Sequence, residues 1–147
     1  MINDKSCMLD SYLIVHGGDA LKAIAFVGHD GSERGFHSQE IIDLANHDGY
    51  ATTEIQRMPS GVNPKTYETV KIDFPQGNDR RFAEHLFLER GIVMGSKLGR
   101  SHAVAWNGRV ATDPATRISF RLLDLDACKL IEEFFVPLTF LRIDRRD

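Results

Sequence analysis

Apolar positions recur at helical spacing through the first fifty residues of the chain. In "SCMLDSYLIVHGG", Met8, Leu9, Tyr12, Leu13 and Val15 fall mostly on one side of a helix that Gly17-Gly18 would stop, with Asp4 or Ser6 available to cap its start. "DALKAIAFVG" reads as a second helical stretch ending near Gly28, and "GSERG" as loop. "HSQEIIDLANHDG" is well punctuated. Ser38 is the expected N-cap, Ile41, Ile42, Leu44 and Ala45 are the apolar positions, and Gly49 lies just past the end.

From residue 50 onward the period changes. "YATTEIQRM" and "TYETVKIDF" alternate as strands do, separated by the loop "PSGVNP". "NDRRFAEHLFLERG" is a helix headed by Asn78 or Asp79 and closed by Gly91, and "IVMGS" is a short buried strand. A hairpin spans residues 102–113, "RISFRLLDL" reads as a strand, "DACKLIEEFF" as a helix ended by Pro137, and "LTFLRID" as the last strand. Helices come first and antiparallel strands dominate the second half, which predicts an α+β fold rather than alternating α/β. No repeat, low-complexity tract or linker divides residues 1–147, so one domain is expected.

The hairpin carries the first chemical question. Asn107-Gly108, flanked by β-prone residues, predicts a two-residue type I′ turn. The loop length then fixes the register: Trp106 faces Arg109, Ala105 faces Val110, Val104 faces Ala111, Ala103 faces Thr112, and His102 faces Asp113. Directly opposed residues have Cβ atoms about 4.5–5.5 Å apart on one face, so an imidazole and a carboxylate come within reach. Pro114 ends the ladder, having no N–H to give. Such a pair on a solvated face is common as plain structure; a nucleophile placed beside it would give it chemistry.

Composition narrows what that chemistry serves. Hydrophobic residues make up 42% and charged residues 27% of 147, an ordinary globular balance with a core of useful size. The net charge of −3 gives no broad footprint for nucleic acid or an anionic membrane. The N-terminal apolar run is too short and interrupted for a signal peptide or membrane span, so a cytoplasmic protein is expected. The two cysteines, Cys7 and Cys128, are far apart, and no Cys-x-x-Cys, His-Glu-x-x-His or Gly-rich phosphate loop occurs, so neither a disulfide nor a cofactor or metal is expected. His29, His37, His47 and His85 lack partners at zinc-ligand spacing. His16 suits the negative end of its helix.

Cys7 stands at the start of an apolar-faced helix, where the macrodipole and unpaired first-turn N–H groups favour a thiolate. The same N–H groups can receive an oxyanion. Most free cysteines are simply small buried hydrophobes, and Cys128, among apolar neighbours at helical spacing, fits that description.

A cysteine opening an N-terminal helix, followed about a hundred residues later by "SHAVAWNGRVATDP", resembles the papain-like cysteine peptidase superfamily. It is most similar to the compact bacterial branch that includes double-glycine leader peptidase domains. "KSCMLDSYLIVHGG" matches the nucleophile segment with Cys7, "GRSHAVAW" the base segment with His102, and "RVATDP" the strand ending in the orienting residue, Asp113. The resemblance implies a papain-like fold, with N-terminal helices packed on a C-terminal antiparallel sheet, and a Cys-His-Asp triad. His102 would take the Cys7 proton, Asp113 would hold the imidazole, and the thiolate would attack a carbonyl carbon. A peptide, an isopeptide or a glutamine side-chain amide in a protein or peptide substrate would each serve.

The departures are specific. The glutamine usual six residues before the nucleophile, an oxyanion donor, is Met1 here, and Asn3 is the residue whose amide could replace it. Ser101 stands for the usual glycine before the histidine, and Ser6 for the aspartate before the cysteine. Trp106 shares the face of His102 by alternation and is a candidate pocket wall. The second reading is a papain-fold module whose pocket binds a peptide tail without cutting it. Retention of cysteine, histidine and aspartate together favours the enzyme.

Overall fold

Alternation sorts the central strands into two faces. In β4 (Gly91–Lys97) Ile92 joins one buried cluster and Val93 the other; in β5 (Arg100–Trp106) Ala103 goes one way, Val104 and Trp106 the other. In β10 (Val136–Arg145) Leu141 and Ile143 are opposed by Phe140. A sheet buried on both faces needs cover on both. Helices α1 (Cys7–His16), α2 (Ala20–Val27) and α3 (Ser38–His47) contribute to the first cluster, through residues such as Tyr12, Ala23, Ile41 and Leu44. Helix α4 (Pro75–Leu88) supplies Phe82, Ala83 and Leu86 to the second. The computed structural model describes residues 6–57, 60–62, 69–71, 75–124 and 129–146.

The main sheet has six antiparallel strands in the order β1-β10-β4-β5-β6-β7, where β1 is Tyr50–Gln56, β6 Ala111–Thr112 and β7 Ser119–Phe120. Two small ladders stand apart: β2 (Ser60–Val62) with β3 (Thr69–Lys71), and β8 (Leu123–Asp124) with β9 (Lys129–Leu130). Four helices and antiparallel strands make the chain α+β.

The punctuation of the first fifty residues places the helices well. Gly17 has φ 74° and donates its N–H to Leu13 O, ending α1, and Asp19 caps α2 by accepting from the Leu21 and Lys22 N–H groups. Helix α3 is capped one residue earlier than expected: His37 is the N-cap, and Glu40 Oε1 accepts its N–H. Helix α4 begins at Pro75, ahead of Asn78 and Asp79, with proline at the first helical position where its missing N–H costs nothing.

The second half departs further. The helix expected over "DACKLIEEFF" is not formed where the chain is described. Lys129–Leu130 is a strand paired with Leu123–Asp124, the Ile131 N–H donates to Leu122 O, and Phe135 is buried in the second cluster. Burial of Leu123 and Phe135 outweighs local helical preference. Cys128 lies outside the described residues. The "RISFRLLDL" stretch breaks at Arg121 into β7 and β8, in different sheets. Pro137, expected to end a helix, sits inside β10 beside a register shift between Pro137 and Thr139, where a missing N–H is tolerated.

Candidate functional site

The hairpin after β5 does not close as its Asn-Gly centre predicts. Trp106 pairs with Ala111 and Ala105 with Thr112, so each β5 residue faces a partner two positions beyond the expected one. The Asn107 side chain is the cause: its Oδ1 accepts the N–H groups of Arg109 and Val110, both at 2.9 Å, and seals the turn from within. A slip of two preserves the face of every side chain, whereas a slip of one would reverse it. Asp113 therefore remains on the side of His102 and reaches it diagonally. His102 Nε2 lies 3.2 Å from Asp113 Oδ1.

The β5–β6 ladder covers only Ala105 and Trp106 and stops short of Ala103. At this uncovered edge the Ala103 N–H donates to Cys7 Sγ at 3.3 Å. Cys7 is the first residue of α1, which packs on β5 and β4, so the helix start and the strand start meet here. First-turn N–H groups, that of Met8 among them, have no acceptor inside the helix. Ser6, at the N-cap position, instead donates its hydroxyl to Asp10 Oδ2 at 2.8 Å.

A cavity of about 630 Å³ opens over the junction. Cys7, Met8, Phe36, Met94, His102 and Leu138 are among the residues lining it. Its walls are mainly apolar, while Cys7 and His102 are 7% and 6% exposed. Gly95 faces His102 across the β4–β5 ladder, where a side chain does not fit: a Cβ would lie 2.0 Å from Val136 O and 2.9 Å from Phe135 Cζ. The vacancy lets Phe135 approach, and its ring meets the His102 imidazole edge-on with centroids 6.3 Å apart.

Asp113 is fully buried yet well supplied with donors. Lys97 Nζ lies 2.6 Å from Oδ2, and the Ala115 N–H donates to Oδ1 at 2.9 Å, beside His102. Burial alone would raise the Asp113 carboxyl. The Lys97 hydrogen bond, the Ala115 N–H and His102 outweigh it and hold the group below its ordinary range. The backbone of the following turn is fixed as well, with the Arg117 N–H on Asp113 O and the Asp113 N–H on Ile118 O.

Cys7 and His102 thus line one cavity and Asp113 stands behind the imidazole; Trp106 does not join them. It is buried in the second cluster, donates Nε1–H to Leu86 O at 2.8 Å, and is absent from the cavity lining. Asn3 lies outside the described residues. Lys97 was not singled out from sequence. Its signal is Leu98-Gly99 between two strand-like runs, a second hairpin turn that brings β4's end beside His102.

His16 differs from its sequence reading. Both ring nitrogens are buried without a hydrogen-bond partner among the described residues, and the ring lies between Tyr12 and Tyr50 at centroid distances of 5.1 and 4.9 Å. Burial, then the Arg90 charge, push its pKa down to about 4 despite an opposing pull from Asp48. It is a neutral aromatic spacer at neutral pH and offers no charge to the helix dipole. Among the described residues, no group of three or more His, Cys, Asp or Glu is arranged to hold a metal ion, and no helix is long and apolar enough to cross a membrane. Comparisons with family models, curated proteins and solved structures find no match to this chain.

Proposed function

We propose that this protein is a thiol-dependent acyl-transfer hydrolase, a peptidase or amidase of papain-like construction, with Cys7 as nucleophile, His102 as base and Asp113 as the residue that orients it. One observation carries the reading: Cys7 and His102 line a single cavity, with the sulfur bonded to the N–H of the residue following His102 and the far side of the imidazole held by a buried carboxylate. Asp113 occupies Nε2, so Nδ1 is the nitrogen that would exchange the proton. The Ala103 N–H on sulfur favours the ionised form, as a donor to any anion does.

In the proposed cycle His102 Nδ1 accepts the thiol proton and Sγ bonds to the carbonyl carbon of an amide. The carbon–nitrogen bond then breaks, and the leaving amine takes the proton from His102. Water gives a proton back to His102 as its oxygen attacks the thioester, the carbon–sulfur bond breaks, and the acid is released with the thiol restored. First-turn N–H groups of α1 are the donors available for the transient oxyanion. The mainly apolar walls suit a substrate with an apolar side chain next to the reacting carbonyl.

Iodoacetamide alkylation followed by mass spectrometry of the intact protein and its peptides tests the assignment. Cys7 should react below about pH 8, ahead of Cys128, and slow by about tenfold or more in His102→Ala. Equal reactivity of the two cysteines, or indifference of Cys7 to His102, would remove the nucleophile and leave at most a pocket that binds without cutting.

A further inference from the structure

We propose that Lys97 is a positioning residue that sets the pH window of the site, by holding Asp113 with a positive charge that competes with the His102 imidazolium for the same carboxylate. The purpose of such tuning rests on the acyl-transfer reading; the electrostatics do not. Lys97 Nζ takes Oδ2 of Asp113 at 2.6 Å while His102 Nε2 takes Oδ1 at 3.2 Å, so one buried carboxylate serves two basic groups. The ammonium is itself held on a second side, 4.7 Å from the centroid of the Phe134 ring. The Lys97 side chain is only 21% exposed and those of His102 and Asp113 3% and 0%, so water screens these charges poorly.

The charge count gives the direction. With Lys97 in place, the imidazolium, thiolate, carboxylate and ammonium sum to zero, and removing the imidazolium proton leaves one net negative charge. Without Lys97 the same step leaves two, and is harder. Lys97 therefore makes His102 release its proton at lower pH than a bare His–Asp pair would, and it eases ionisation of a nearby thiol in the same way. An anchoring role alone has the opposite sign. If Lys97 merely fixed Asp113, its loss would loosen the carboxylate from the imidazole and make His102 less basic. Other charged or titratable residues on the surrounding elements include Asp10, Tyr12 and His16 on α1, His37 before α3, Arg100 on β5, Arg117 after β6, and Glu132 and Glu133 just before the two phenylalanines that border Lys97 and His102. All stay unaltered in the variants.

The decisive measurement is the NMR titration of the His102 imidazole in full-length protein carrying Cys7→Ser, which uncouples the ring from the thiol, with the signal assigned by its loss in His102→Gln. Lys97→Met should move the His102 midpoint up by about one pH unit, the usual scale for one nearby charge, and Lys97→Arg should return it toward the starting value. If Lys97→Met folds poorly, Lys97→Gln supplies the same readout with a polar side chain. An unmoved or lowered midpoint overturns the proposal. With Cys7 restored, alkylation on the acid limb should slow about tenfold in Lys97→Met. A raised midpoint in a protein whose Cys7 alkylation ignores His102 would sustain the role of Lys97 and sink the acyl-transfer reading instead.

Discussion

The buried imidazoles of His102 and His16 have opposite surroundings. His102 meets a carboxylate that is bonded to a lysine and a backbone N–H, with a cysteine across the cavity. His16, at the far end of the helix that Cys7 opens, meets two tyrosine rings and nothing for its nitrogens. Around His16 the polar traffic bypasses the imidazole: Tyr12 donates its hydroxyl to Asp48 at 2.6 Å, and burial followed by that bond pushes the phenol far above its ordinary range. A buried imidazole can thus be paired with a charge or held among rings alone. The choice lies with the neighbouring carboxylate, which touches His102 and not His16.

The largest effect should come from removing that distinction at His102. Asp113→Asn keeps the shape of the side chain but supplies an amide that cannot stabilise an imidazolium. We expect Cys7 alkylation near neutral pH, and turnover once a substrate is found, to fall by about 10²–10⁴-fold with the fold retained. A folded variant with unaltered reactivity would place His102 in the same inert class as His16.

A smaller loss should follow from Gly95→Ala, which leaves every polar group of the site in place. The added methyl meets the Val136 carbonyl, which belongs to backbone and cannot swing aside, and also the Phe135 ring that borders His102. Overpacking of this kind costs about 1–3 kcal/mol, read as a lower urea midpoint, and His102-dependent alkylation should weaken with it. An unchanged midpoint would mean that the strand ends can separate freely.

The gentlest test sharpens the comparison from the side of His16. Its folded pKa of about 4 lies below the ordinary 6.5, so the unfolded chain takes up the proton first as the pH falls. The stability that depends on neutral His16 is complete above about pH 6.5 and drains away as the pH drops to about 4. Unfolding measured at pH 7.5 and pH 4.5 should show a loss, attributable to this residue, of about 2 kcal/mol, smaller in His16→Phe. Parallel pH profiles in the two proteins would show that His16 already accepts a proton when folded.

How much of this was legible follows from the range of the forces involved. The three N-terminal helices are written in local punctuation, such as Gly17 after α1 and Gly28 after α2, and their ends lie close to where that punctuation puts them. The His102–Asp113 juxtaposition was legible only in parity: the ladder shifted by two because the Asn107 side chain took two backbone donors, and the face survived. Strand pairing at Lys129–Leu130 was not legible, since Leu123, seven residues before Leu130, and the apolar cluster on which both leucines pack decide it. Trp106 was placed on the correct face, but that face is thick: Leu86 O claims the indole well inside the core. Lys97 became visible only after two hairpins were folded against each other.

The truncated second ladder has a consequence for the backbone itself. Because β6 ends before Ala103, the sulfur of Cys7 stands in for the strand that is missing there and closes an otherwise open seam. A group bonded to that sulfur alters the acceptor on which the Ala103 amide depends. The Ala103 amide is therefore a local reporter of the thiol, because its hydrogen bond depends on whether the sulfur is bare or capped.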